Sequence, residues 1–493
     1  MCNTIVMLPA QFFQPYSEMY NSFDFLLAYT PQNEPIISYL KDCSFLNTLF
    51  LVCSEANQEQ AESYADDKCK CFVSSNLTNS KLLRQVAQKL SAPYTFIYLS
   101  HHTLTLNYHC VERFMQIMGY IQSAKETPLM LYSDRYDDKG LHPVIDYQVG
   151  ALRDDFDFGS LLMYSTKGIK DFFATEHTLR YQYATLYALR LFVSAQGHIE
   201  HIHEPLYTET ETDNRASGVK QFDYVNPSNR DVQIEMERAC TEHLKHINAW
   251  LAPHEYDELP TDTTPYPVEA SVIIPVRNRV RTIKDAVNSA LTQQTDFSFN
   301  VIVIDNHSTD GTGEAVASLN ANQHVVLLQP ERNDLGIGGC WDYAIRSAHC
   351  GRYAVQLDSD DLYSSPNTLQ RIVDEFKKQK AAMIIGSYRM VDFGLQTLPP
   401  GLIAHKEWTA DNGRNNALRI NGLGAPRAFR TDILRQLGFP NTSYGEDYAL
   451  GLTISRRYRI GRIFDEVYLC RRWEGNSDAA LSIDKQRSEE RRV

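Results

Sequence analysis

At 493 residues, 43% of them hydrophobic and 22% charged, the chain has the make-up of a globular protein too long for one core. Its formal net charge of −13 excludes a general nucleic-acid binder, because phosphate backbones are held by basic surface. The opening Met1-Cys-Asn-Thr-Ile-Val-Met-Leu-Pro9 lacks the basic start and long apolar run of a signal peptide, and no stretch reaches the ~18–20 apolar residues of a membrane span.

The first 250 residues alternate strand-like and helix-like segments. Thr48-Leu-Phe-Leu-Val-Cys53 and Tyr94-Thr-Phe-Ile-Tyr-Leu99 are short apolar runs bounded by polar residues, as buried parallel strands are, and Ser80 to Leu90 between them has helical spacing. From Asp231, a candidate N-cap, to Leu251, Met236, Cys240, Leu244, Ile247 and Leu251 mark one helix face. That helix is expected to close a first domain, residues 1–252. The Pro- and Thr-rich segment around Leu259-Pro-Thr-Asp-Thr-Thr-Pro-Tyr-Pro267 cannot continue a helix or central strand, so 253–268 is expected to be a linker. A second domain, 269–475, and a charged tail, 476–493, follow.

The second domain opens with the strand Ala270-Ser-Val-Ile-Ile-Pro-Val276 and a helix whose stripe is Ile283, Ala286, Val287, Ala290 and Leu291. Strands at Asn300–Asp305, His324–Leu328, Tyr353–Leu357 and Ala382–Ser387 alternate with helices from Gly311, from Ile337 to Ala348, and after Ser364-Ser-Pro-Asn367. Repeated βα units predict a doubly wound, mainly parallel sheet, whose ligands sit at the carboxyl ends of the strands. Polar features fall at those ends. Pro275 to Arg277 ends the first strand, Asp305 the second, and Asp358-Ser-Asp-Asp361 the fourth. Carboxylates crowded where backbone pairing stops suit Mg²⁺ or Mn²⁺ shared with a phosphate, although a solvated turn capping the next helix is the plainer alternative. Gly445-Glu-Asp-Tyr448 precedes the apolar positions Leu450, Leu452 and Ile454.

From about Ala270 to Trp473 this constellation resembles the family 2 glycosyltransferases of the GT-A fold. The resemblance implies an inverting glycosyltransferase that moves a sugar from a UDP- or GDP-sugar to a glycan or lipid-linked acceptor. It implies that Pro275 and Arg277 lie against the nucleotide, that Asp305 accepts from the base, and that Asp358 and Asp360 hold Mn²⁺ or Mg²⁺ at the diphosphate. Asp447 is then the general base, with Glu446 orienting it or touching the acceptor. Each residue keeps a simpler reading: Asp305 as a turn cap, Glu446 and Asp447 as acids at a helix N-terminus, and Asn333 and Gly336 as a tight turn rather than a diphosphate cradle. Two features depart from the family. Asn306 stands where a second acid often follows Asp305, and the late histidine of the metal shell is missing from Arg471-Arg-Trp-Glu-Gly-Asn476. Arg471 or Arg472, the latter taken as donor-binding, is expected to meet the diphosphate instead.

The first half repeats the order of the second at an offset of about 250–265 residues, the self-similarity of tandem units. Cys53 replaces Asp305, Ser100 and His102 replace Asp358 and Asp360, and Gln182 replaces Asp447. A degenerate α/β domain of similar GT-A-like fold is therefore expected there, used for packing, homo-oligomerisation or acceptor binding. The ten cysteines are scattered, and the close pair Cys69 and Cys71 has no second pair at zinc spacing. Reduced thiols and a cytoplasmic protein are expected, with peripheral contact at the inner face of a membrane left open. Two rivals remain: a sugar nucleotidylyltransferase, disfavoured because Val276-Arg-Asn-Arg-Val-Arg281 lacks glycine, and a non-catalytic nucleotide-sugar-binding scaffold.

Overall fold

The computed structural model describes residues 22–123, 128–175, 181–210, 230–319, 324–406 and 408–473; the N-terminal segment and the expected tail at 476–493 lie outside them. The chain divides into two compact units, with the break after α7 between Asn248 and Ala249.

Unit 1 begins with β1 (Phe23–Ala28), α1 (Glu34–Asp42), β2 (Leu46–Cys53), α2 (Gln58–Glu62), β3 (Cys69–Val73), α3 (Ser80–Ala87) and β4 (Tyr94–Tyr98). It continues through β5 (Thr103–Leu106), α4 (Cys110–Ser123), β6 (Pro128–Asp137), β7 (Gly140–His142) and β8 (Leu162–Ser165). It ends with α5 (Thr166–Ala174), α6 (Thr185–Gln196), β9 (His198–Thr210) and α7 (Arg230–His246). Asp231 lies inside the first turn of α7 rather than capping it, and the helix stops short of the expected Leu251. Tyr181 donates its hydroxyl to Glu242 on this helix at 2.6 Å.

Unit 2 carries β10 (Ala270–Val276), α8 (Ile283–Leu291), β11 (Phe299–Asp305), α9 (Thr312–Ala317), β12 (Val325–Leu328), α10 (Ile337–Arg346) and β13 (Tyr353–Gln356). After these come β14 (Leu362–Tyr363), α11 (Thr368–Gln379), β15 (Met383–Val391), β16 (Thr397–Ile403) and α12 (Gly413–Asn416). The unit closes with β17 (Arg427–Arg430), α13 (Thr431–Leu437), α14 (Glu446–Arg457) and β18 (Ile460–Arg471). The first strands form because their β-branched runs have two apolar faces to bury. Along β10 and β11, Val272, Ile274, Val301 and Val303 enter one core cluster, while the alternating Ile273, Ile302 and Ile304 enter another on the opposite face. The predicted stripe on α8 is what packs: Ile283, Ala286, Val287 and Ala290 are fully buried.

The sheet runs β12-β11-β10-β13-β17-β15-β18-β14, with β16 on β15. The predicted parallel strands are parallel, but β17 inserts antiparallel between β13 and β15. Unit 1 repeats this order as β3-β2-β1-β4-β8-β6-β9-β5 with β7 on β6. Each pairing in one sheet has its counterpart, in the same direction, in the other. Two α/β units of like topology thus follow one another.

The ladder also corrects the alignment of the copies. Tyr94 pairs with Phe23 as Tyr353 pairs with Ala270, and Leu106 pairs with Tyr207 as Tyr363 pairs with Tyr468, so the first copy carries two extra residues in this turn and neither Ser100 nor His102 is held in register with Asp358 or Asp360. Cys53 does match Asp305 as the last residue of its strand. Gln182 lies ahead of α6, whereas Asp447 sits in the first turn of α14.

The segment expected as a linker is packed along unit 2. Arg414 donates to the carbonyls of Ala252 and Glu255, Arg430 to that of Pro260, and Arg457 and Arg352 pair with Asp257 and Asp262.

Candidate active site

The carboxyl ends of β10 and β13, the loop after β11, and the starts of α10, β17 and α14 surround a cavity of about 650 Å³ in unit 2. Of the residues singled out in the sequence, Pro275, Arg277, Gly336, Asp358, Asp360, Glu446, Asp447 and Arg472 line it; Asp305 and Asn333 do not. Asn333 is exposed on the preceding loop. The Asp305 carboxylate is buried and accepts the Ser308 N–H at 2.9 Å, which is the turn-capping role. The next residue faces the cavity instead. Asn306 holds the Leu335 carbonyl through Nδ2 at 2.8 Å, and its buried Oδ1 has no partner.

Asp358 and Asp360 reach the cavity because β13 ends at Gln356 and the chain turns there. The Asp358 N–H donates to the Tyr468 hydroxyl at 3.0 Å, and its Oδ1 accepts from Gln356 Nε2 at 2.9 Å. Burial, with the Asp360 charge adding to it, raises the Asp358 carboxyl above the ordinary range. Asp361 is pushed well above it, first by burial and then by both neighbours, while its Oδ1 accepts the Arg471 N–H at 2.7 Å. Asp361 is thus committed to tying β18 to the acidic turn. Arg471 serves the same purpose: buried, it donates to the Asp360 carbonyl and to Asp285 Oδ2. Of the two late arginines, Arg472 is the one that lines the cavity. Trp473 donates its indole N–H to Asp360 Oδ2 at 3.1 Å, beside Arg279 and Arg281.

A hydrogen-bonded chain crosses the floor. Gln356 Oε1 accepts from Arg427 N and Nη1, both at 3.1 Å, and Arg427 forms an ion pair with Asp447. Burial opposes the Arg427 charge, yet Asp447, Asp358 and Glu446 around it raise its pKa. The metal-type carboxylate and the candidate base are therefore linked through Gln356 and Arg427. Neither linker was singled out in the sequence. Gln356 had a signal there, as one polar residue in a buried apolar run; Arg427 had none, because its partners come from distant segments.

Gly445, with φ +74, starts α14 and so sets both acids in its first turn. Glu446 is only 8% exposed and its Oε2 has no partner. Burial, then the Asp447 charge, pushes its pKa up to about 7. The glycines before α10 answer to packing: a Cβ on Gly336 would lie 2.4 Å from the Thr442 carbonyl oxygen, and one on Gly338 2.0 Å from that of Pro440. Trp341, Phe429 and Phe439, in mutual edge and stacked contact, form an apolar wall of the same cavity. Two carboxylates facing open space, a cluster of arginines, an acidic pair and an aromatic wall can together hold a polyanion with a cation and accept a proton beside it.

Residues 271–438 match the family described as Glycosyl transferase family 2. Among curated relatives, a hyaluronan synthase of Pasteurella multocida is 26% identical over 249 residues, covering 46% of this chain and 23% of that protein. A chondroitin synthase of the same species is 29% identical over 170 residues, 30% of this chain and 17% of its own length. An uncharacterized glycosyltransferase of Rickettsia conorii is 32% identical over 129 residues, 26% and 20% of the two chains. The chain thus spans about a fifth of the length of these relatives. Among solved structures, S. aureus TarS 1–349 in complex with UDP-GlcNAc aligns over 43% of this chain and 62% of its own, at 24% identity and TM-score 0.37. The mannosyltransferase PcManGT of Pyrobaculum calidifontis, with GDP-Man and Mn²⁺, aligns over 51% and 69%, at 20% identity and TM-score 0.34.

Proposed function

Residues 271–438 being a family 2 glycosyl transferase domain, we propose that the chain transfers a sugar from a nucleoside diphosphate donor, a UDP- or GDP-sugar, to a hydroxyl of a glycan or lipid-linked acceptor, with inversion. The observation that carries this reading is that strand-end carboxylates, arginines and an acidic pair line one cavity of about 650 Å³.

Asp358 and Asp360 would hold Mn²⁺ or Mg²⁺. Their fit rests on chemistry: two oxygen ligands lean on each other at a site where burial already raises Asp358, so a cation is favoured there, and positions remain for phosphate oxygens. When bound, such an ion offsets the negative charge that grows on a nucleoside diphosphate leaving group. Arg277, Arg279 and Arg472 face the same phosphates. Asn306 Oδ1, buried without a partner, accepts an N–H from the base, the role that Asp305 gives up by capping its turn. The apolar wall of Trp341, Phe429 and Phe439 takes the carbon face of a sugar ring.

The acceptor hydroxyl attacks the anomeric carbon from the side opposite the diphosphate. The bond to the diphosphate oxygen breaks, its electron pair leaves with that oxygen, and the hydroxyl proton passes to a carboxylate of the Glu446–Asp447 pair. Asp447 is the base expected from the family resemblance, and it is ion-paired with Arg427. A second reading, with Glu446 as the base, has its own support in the unpartnered Oε2 and a pKa of about 7, close to the working pH that general-base catalysis favours.

The test is a panel of UDP- and GDP-sugars with Mn²⁺, Mg²⁺ or EDTA. One donor should be bound and slowly hydrolysed only with metal, Asp360→Asn should abolish both, and Asp447→Asn should keep binding while losing about 10²–10⁴-fold in rate. If Glu446 is the base, that loss moves to Glu446→Gln. Absence of binding by every donor under every metal sinks the transferase reading, and binding without turnover that Asp447→Asn abolishes favours a scaffold.

A further inference from the structure

Unit 1 has Cys53 at the position of Asp305 and carries a cluster of a different kind. His201 and His203 stand two residues apart on β9, their rings 4.2 Å apart between centroids. In the matching strand of unit 2 the equivalent positions are Arg462 and Phe464, since Ile199 pairs with Met130 as Ile460 pairs with Met383. Asp146, from the loop between β7 and β8, meets both histidines: its Oδ1 lies 2.8 Å from His201 Nδ1 and 3.2 Å from His203 Nε2.

The surroundings hold this geometry in place. Tyr132, fully buried, stacks on the His201 ring at 4.8 Å and 11°, and its hydroxyl donates to the Ile145 carbonyl at 2.7 Å. One side chain therefore fixes both the imidazole and the backbone that presents Asp146. On the other edge of the ring, His201 Nε2 lies 3.0 Å from Asp134 Oδ1, which also accepts the Val144 N–H at 2.8 Å. A carboxylate in that position accepts the Nε2–H and fixes the ring with Nδ1 turned toward Asp146, the arrangement by which a carboxylate orients a metal-bound histidine. Nδ1 and the Asp146 oxygen are thus aimed at each other at 2.8 Å, across a proton when the ring is protonated and ready for a cation in that proton's place.

The geometry points to a binding site for a divalent transition cation of the zinc class, formed by His201 Nδ1, His203 Nε2 and a carboxylate oxygen of Asp146. These three ligand atoms lie within 4.8 Å of one another. Ligands of a tetrahedral zinc ion, each at about 2.0–2.1 Å, stand about 3.3 Å apart, so shifts of no more than about 1.5 Å of the atoms relative to one another suffice. Asp146 and His203 can make them, being 62% exposed, and their exposure leaves the fourth position to water or a ligand. Two imidazoles and one carboxylate favour Zn²⁺ or Co²⁺ over the oxygen-seeking Mg²⁺ and Mn²⁺ proposed for Asp358 and Asp360. The site joins positions 55 residues apart and stabilises unit 1 when filled.

The test uses the full chain stripped with EDTA and titrated with Zn²⁺, and with Co²⁺ for its absorption spectrum. Expected are a Co²⁺ d–d band, a melting temperature raised by Zn²⁺, and a loss of affinity of at least about tenfold in both His203→Ala and Asp146→Asn, with Asp360→Asn unchanged. Both altered side chains are exposed, and melting in EDTA reports whether each variant folds. Zn²⁺ affinity equal to wild type in the two folded variants, as zinc held by Cys69 and Cys71 would give, overturns the proposal, as does an absence of binding.

Discussion

Arg427 is the residue on which the electrostatics of the cavity turn. Asp447, Asp358 and Glu446 surround it, and a neutral replacement leaves them facing one another without a counter-charge. Breaking a buried pair costs about 3–5 kcal/mol, and the partial exposure of Asp447 argues for the lower end. Arg427→Met should lower stability by about 3 kcal/mol in urea denaturation and raise the apparent pKa of donor hydrolysis. Glu446 makes a second prediction. Its carboxyl ordinarily ionises near 4.5 but is held protonated to about 7 in the fold. A raised acid contributes its full stability below about pH 4.5 and loses it as pH rises toward 7, by about 3 kcal/mol here. Glu446→Gln should flatten that part of the stability curve, measured by urea denaturation between pH 5 and pH 8. The acids of both motifs were legible in the sequence because each sits within a few residues of a strand or helix end. The unpaired Oε2 of Glu446 was not, since burial is decided by α10, which approaches from another part of the chain.

Among the elements, α10 and α14 matter most to the site, and what joins them is the absence of side chains. Gly338 donates its N–H to the Thr442 carbonyl at 3.0 Å, and a Cβ there would overlap the backbone of Pro440. Gly338→Ala should therefore cost about 1–3 kcal/mol by overpacking and weaken donor binding, while leaving every acid in place. Thermal melting and donor titration of that variant check both effects. The predicted strands and the α8 stripe were legible because period and β-branching are local properties. The antiparallel insertion of β17 was not, because an Arg-Ala-Phe-Arg run of four carries no direction; only its ladder with β13 and β15 supplies one.

At the scale of the whole molecule, two sheets share one strand order, and Cys53 ends the strand that matches the one ending in Asp305. All nucleotide-sugar turnover should then depend on unit 2. Asp358→Asn should reduce it at least about a hundredfold, whereas His101→Ala, in the corresponding turn of unit 1, should leave it within about twofold; both are read by donor hydrolysis in the full chain. Among the described residues no helix is long and apolar enough to cross a membrane. The sequence by itself determined the α/β class, the tandem plan and the candidate acids, because apolar period and residues beside strand ends are properties of short stretches. Only the tertiary structure decided that Asn306 and not Asp305 meets the cavity, that Gln356 and Arg427 connect its two acidic sites, and that the first copy carries two extra residues in the turn that matches the acidic one. Each of these depends on register, and a shift of one residue sends a side chain to the other face of the sheet.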